Sequence, residues 1–158
     1  MNRVLSWSAV FLWCVLIFSM SAQPAAVSNG LSKGMTEVII EHAEKVVPNE
    51  DFNLGKLNHL VRKNAHFFLY LILAILVTYA LRQSGREGKS AYGLALLISA
   101  LYAISDEFHQ LYVPGRGAQI GDVLLDSAGA LVGIVGDIVI RRVPIRQVPG
   151  TPRNLSKK

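Results

Sequence analysis

Residues Ala65–Leu81 read Ala-His-Phe-Phe-Leu-Tyr-Leu-Ile-Leu-Ala-Ile-Leu-Val-Thr-Tyr-Ala-Leu, and apart from tyrosine only His66 among them can ionise. A helix rises about 1.5 Å per residue, so such a run comes close to crossing a hydrocarbon layer of about 30 Å. Three further runs share this character. Val4–Met20 has no charge, Ser90–Ser105 is uncharged and continues past Asp106 and Glu107 to Val113, and Val123–Ile140 holds only Asp126 and Asp137. Lipid offers no partner for free backbone groups, and four short runs cannot close a barrel, so each must be a helix. The expected fold is all-α, a polytopic bundle of four transmembrane helices at about 4–20, 65–81, 90–113 and 123–140. These form one domain over 4–140, followed by a tail over 141–158.

The composition agrees. The chain has 158 residues, 51% hydrophobic and 17% charged, with a mean hydropathy of +0.36, too apolar for a disordered chain. The net charge of +5 would suit nucleic acid only if it formed a stripe on a soluble surface, which the long uncharged runs argue against. Cys14 is the single cysteine, so there is no intrachain disulfide and no cysteine-based zinc site; within its apolar run it reads as an inert packed thiol.

Basic residues set the orientation. With the N-terminus inside, the inner segments hold Arg3, Arg82, Arg86, Lys89, Arg141, Arg142, Arg146, Arg153, Lys157 and Lys158. The outer segments hold Lys33, Lys45, Lys56, Arg62, Lys63 and Arg116 over a greater length, together with nine acids. Both termini are therefore expected in the cytoplasm. The charge excess is a topology signal. The first run also has the short basic start of a signal peptide, although its 17-residue length, with Trp7 and Trp13, fits a retained helix better. An outer loop is expected from about Ser21 to Arg62. Within it, Met35, Val38, Ile39, Ala43, Val46 and Val47 recur at helical spacing opposite Glu37, Glu41, Glu44 and Lys45, which reads as an amphipathic helix over about 35–47 ended by Pro48. It is either a packing cover or a functional lid. The basic tail, with Pro144, Pro149 and Pro152, reads as disordered and attracted to anionic lipid.

Polar residues in lipid usually face the bundle interior and pair. Lys63, His66 and Tyr70 share one face of the second helix; Asp106 and Gln110 share one face of the third; Asp122 and Asp126 share one face of the fourth. Pro114-Gly115-Arg116 adds a guanidinium at a turn. By the topology all lie at one outer level, so an outward-facing polar pocket is expected. Lys63 and Arg116 suit an anion, with Tyr70, Gln110, Asp122 and Asp126 as further ligand-binding candidates. His66, Asp106 and Glu107 are the candidates for acid–base work, since neighbouring carboxylates and a histidine can divide those roles. A buried salt-bridge network that only fixes helix register explains the same residues. There is no His-Glu-x-x-His and no cysteine ligand, and Asp106-Glu107-x-His109 is a weak metal signal, so no metal and no cofactor are expected. Gly129-x-x-x-Gly133 permits close helix packing, Asp137 can pair with Arg141, and His42, His59 and His109 read as surface or interfacial side chains.

Ser21-Ala22-Gln23-Pro24, Lys63-Asn64-Ala65-His66-Phe67 with Tyr70, Asp106-Glu107-Phe108-His109-Gln110, Pro114-Gly115-Arg116, and Asp122 with Asp126 and Gly129 together resemble the VanZ-like family over about Val4–Ile140. The resemblance implies a multi-pass protein of the bacterial cytoplasmic membrane. The family's founding member is associated with resistance to the glycopeptide teicoplanin, and the resemblance implies no particular reaction. Two functions are expected on these grounds. One is an envelope protein whose outer pocket binds or modifies an anionic membrane-lipid headgroup or a lipid-linked wall precursor. The other is a non-enzymatic membrane factor that alters antibiotic access or supports an envelope partner. Transport is a third reading, set back by the little space four helices enclose.

Overall fold

The structure is a computed structural model that describes residues 3–28, 30, 33–34, 38 and 54–142, with the backbone alone for 54–59. Its long elements are α1 (Arg3–Ser21), α2 (Leu54–Gln83), α3 (Gly88–Gln110) and α4 (Ile120–Arg142), each long and apolar enough to cross a membrane. Apart from Val38, which is helical, the amphipathic segment 35–47 lies outside the described residues, as does the tail beyond Arg142. Two boundaries differ from the apolar runs. Helix α2 begins at Leu54 inside the expected loop, because a helix does not stop where its apolar stretch stops. Helix α3 ends at Gln110, and residues 111–115 form turns leading into Pro114 and Gly115.

Helices α2 and α4 form the tightest pair. A Cβ placed on Gly129 would overlap the Phe67 carbonyl oxygen and lie 3.1 Å from its carbon; one on Gly133 would overlap the Leu71 oxygen and lie 3.1 Å from that carbon. The contacts advance four residues on each helix, so α2 and α4 run parallel. Without a hydrophobic drive between helices in lipid, this close approach supplies the dispersion contacts that hold them.

Helix α1 runs antiparallel to α2 and is tied to the bundle along its length. Arg3 Nε donates to Gln83 O at 3.0 Å, capping α2, and Trp7 Nε1 donates to Ser84 Oγ at 3.0 Å. Trp13 Nε1 donates to Leu69 O at 2.9 Å, and Tyr102 OH donates to Cys14 O at 2.6 Å. Helix α1 thus packs against both α2 and α3.

The solvation pattern is that of a lipid-embedded bundle. Phe11, Leu12, Leu97, Leu101, Leu131 and Val135 face outward, while Asp106, Glu107, Gln110 and Asp126 are buried. An apolar surface of this kind is unfavourable in water and matched in hydrocarbon. The end with Arg3 and Ser84 also gathers Asp137, held by Arg82 through two bonds of 2.7 and 3.2 Å and by Arg141 Nε at 3.0 Å. The expected Asp137–Arg141 pair is present, and Arg82 is the stronger partner. Arg82 also bonds Tyr92 OH and lies 4.9 Å from the centre of its ring.

Gly129→Ala and Gly133→Ala are each expected to cost about 1–3 kcal/mol of bundle stability, as overpacking does. Gly136→Ala, with nothing within 4 Å of its added Cβ, is expected to be neutral. Thermal unfolding of the three variants in detergent checks the contrast.

Candidate functional site

At the opposite end of the bundle the parallel register of α2 and α4 brings their polar residues together. One turn outward from the Phe67–Gly129 contact, His66 Nδ1 lies 3.9 Å from Asp126 Oδ2. A turn further, Lys63 Nζ stands 2.6 Å from Asp122 Oδ1, an ion pair off the direction of a hydrogen bond. Spacing of i, i+4 on α4 and i, i+3 on α2 places these four side chains in two stacked pairs.

Helix α3 and the turn after it complete the site. Glu107, only 4% exposed, accepts a hydrogen bond from Gln119 N at 2.8 Å, so the carboxylate holds the start of α4 against α3. Gly115 has φ +75°, a conformation costly for other residues, and its position for a Cβ lies 3.1 Å from Ala25 Cβ. Ala25 N in turn donates to Pro114 O at 3.2 Å. This pinned turn sets Arg116, whose Nη2 donates to Met20 O at a long 3.5 Å and whose Nε has no hydrogen-bond partner among the described residues. Burial first, then the Arg62 charge, hold the Arg116 guanidinium below its ordinary value, with Asp106 and Glu107 opposing. Arginine stays protonated under such pressure, so the result is a cation short of partners.

Together these groups line a cleft of about 570 Å³ including its open mouth. Its walls carry Arg62, Lys63, His66, Glu107, Gln110, Arg116, Gln119, Asp122 and Asp126, with Gly115, Gly117 and Leu125. Of the sequence candidates, Lys63, His66, Glu107, Gln110, Arg116, Asp122 and Asp126 meet there. Asp106 and Tyr70 lie beneath it. Asp106 is 3% exposed, and its Oδ2 accepts from Ser21 Oγ at 2.7 Å and Gln110 Nε2 at 3.3 Å. Tyr70 is fully buried in the core, its ring centre 6.2 Å from that of Tyr102. His109 stacks at 4.3 Å on Phe18 rather than facing the cleft.

Arg62 and Gln119 also line the cleft, and Ser21 holds Asp106 beneath it, although none of the three is among the sequence candidates. Arg62 stands i, i+4 from His66, a spacing legible in the sequence. Gln119 acts through its backbone N–H and Ser21 through a contact between distant helix ends, neither of which has a sequence signature. No group of three or more histidine, cysteine, aspartate or glutamate residues poised to hold a metal occurs among the described residues.

The fold and cleft define a class, a multi-pass helical membrane protein with a charged cleft at one end of the bundle. Residues 6–141 match the VanZ/LLP1 family, and the chain belongs to it. No curated protein and no solved structure matches the chain.

Ser21→Ala removes the shorter of the two bonds to a buried carboxylate. It is expected to lower stability by about 1.5–3 kcal/mol, in the range for hydrogen bonds to charged groups. In the Asp106→Asn background most of that loss should vanish, and a double-mutant cycle by thermal or denaturant unfolding measures it.

Proposed function

We propose that this VanZ-family protein uses its charged cleft to bind an anionic lipid headgroup or lipid-linked wall precursor at the outer face of the bacterial cytoplasmic membrane. The positive-inside distribution supports that orientation, because the Arg82, Arg86, Lys89, Arg141 and Arg142 end lies opposite the cleft. The single observation that carries the reading is Arg116. Its guanidinium lines an open cleft beside Arg62 and Lys63, yet among the described residues its Nε has no partner and its one hydrogen bond is long. A guanidinium presents five donors suited to phosphate, and bidentate capture would relieve both its burial and the repulsion from Arg62.

Modification of the bound group is the finer form of this reading. His66 and Glu107 line the cleft and are the groups placed to move a proton there, while Asp106 supports them from below through Gln110. Resistance to a glycopeptide such as teicoplanin would follow if the ligand were a wall precursor or a lipid that governs access to it.

A second reading is favoured by the bonds Ser21–Asp106, Lys63–Asp122 and Glu107–Gln119. Each joins a different pair of elements, as expected of a network that serves only to hold the bundle in a non-enzymatic membrane factor. Arg116 separates the two readings because its guanidinium makes one long hydrogen bond among the described residues. Under the binding reading, Arg116→Ala keeps its thermal stability within about 0.5 kcal/mol, as at other sites with few contacts. It also loses about tenfold or more in affinity for phosphate-bearing lipid, the worth of one charge-assisted contact. Lipid titration of the purified protein beside its melting curve makes the comparison. A variant that melts early and binds lipid unchanged would support the structural reading.

A further inference from the structure

The charges of the cleft do not all cancel. Lys63 is paired with Asp122, and Glu107 is engaged by Gln119 N. Among the described residues of the lining, a guanidinium and a carboxyl stand out for polar atoms that lack both a hydrogen bond and an ion pair within 3.5 Å. Arg116 is the guanidinium. Asp126 is the carboxyl: it is 1% exposed, it lines the cleft, and neither of its oxygens has a hydrogen-bond partner among the described residues. His66 Nδ1, at 3.9 Å, is beyond hydrogen-bond reach. Asp106, Glu107 and Asp122 add their negative fields at Asp126, with Lys63 opposing.

A buried carboxylate normally has its oxygens satisfied, since leaving them bare costs several kcal/mol. An unsatisfied one at the wall of an open cleft is a place made for a donor from outside. We infer that the cleft recognises a zwitterionic headgroup, its phosphate held by Arg116 and its primary ammonium by Asp126. This rests on the anion-binding reading above and narrows its ligand to phosphates that also carry a primary amine, as phosphatidylethanolamine does. An ammonium brings three donors to the two bare oxygens, whereas a quaternary ammonium brings none and a glycerol headgroup brings no charge. The carboxylate excess around Asp126 strengthens the preference for a cation.

Native mass spectrometry of the full chain in detergent tests this, with phosphatidylethanolamine, phosphatidylglycerol and phosphatidylcholine added at equal concentration. The expected result is retention of phosphatidylethanolamine about tenfold above the other two, the worth of one charge-assisted hydrogen bond. Asp126→Asn should bring it down to the phosphatidylglycerol level, and Asp126→Glu should restore part of the preference. Arg116→Ala should weaken both phosphatidylethanolamine and phosphatidylglycerol. Soluble phosphoethanolamine as competitor distinguishes a headgroup recognised alone, which it displaces, from one recognised only with its acyl chains, which it does not; either result supports the zwitterion site. The comparison among lipids uses the unaltered protein, so it stands even if an Asp126 variant fails to fold. Equal retention of phosphatidylethanolamine and phosphatidylglycerol, both weakened by Arg116→Ala, would overturn the zwitterion inference and leave the anion reading in place. Retention of none of them would overturn both.

Discussion

The close approach of α2 and α4 at Gly129 and Gly133 is the constraint from which the rest of the molecule follows. Two helices keep their backbones this close at Phe67 and Leu71 only with the glycines facing those carbonyls, because any side chain there would strike them. The register so fixed carries outward. His66 must then lie beside Asp126, and Lys63 beside Asp122, as rigid consequences of helical repeat rather than of attraction between those groups. Electrostatics fills in a geometry that packing has already chosen.

That order of causes explains how so polar a cluster persists at the end of a lipid-embedded bundle. Charged groups in hydrocarbon are costly and are tolerated where they turn inward and find partners. Asp106 finds Ser21 and Gln110, Glu107 finds the Gln119 amide, and Asp122 finds Lys63. The opposite end obeys the same rule through Arg82, Asp137 and Arg141, with the guanidinium resting on Tyr92. The two ends differ in completeness. Asp137 is satisfied on both oxygens, while Asp126 is satisfied on neither.

Helix α1 illustrates how little of an apolar segment's role its own residues reveal. Its hydropathy suits a leader or a span equally, and its outward face is Phe11, Leu12 and Phe18. Its place in the bundle is marked by a few polar atoms, the Trp13 indole, the Arg3 guanidinium and the Ser21 hydroxyl, each reaching an acceptor on another helix, and the Trp7 indole, which reaches Ser84 in the turn after α2. Such bonds are effective in lipid because no water competes for the donors, although each contributes only about 1 kcal/mol.

The sequence by itself determined the four spans and the gathering of Lys63, His66, Glu107, Gln110, Arg116, Asp122 and Asp126 at one end of the bundle. Hydropathy and helical period act locally and leave a mark in every stretch of 17–25 residues. The tertiary structure decided what locality cannot carry. It moved Tyr70 into the core and Asp106 beneath the cleft, joined Ser21 to Asp106 across 85 residues, and gave Asp137 its partner Arg82 across 55. It also decided which charges cancel and which stay open, Arg116 and Asp126 among them. Those outcomes depend on distances between helices, and in lipid these distances are set by where two glycines let one backbone touch another.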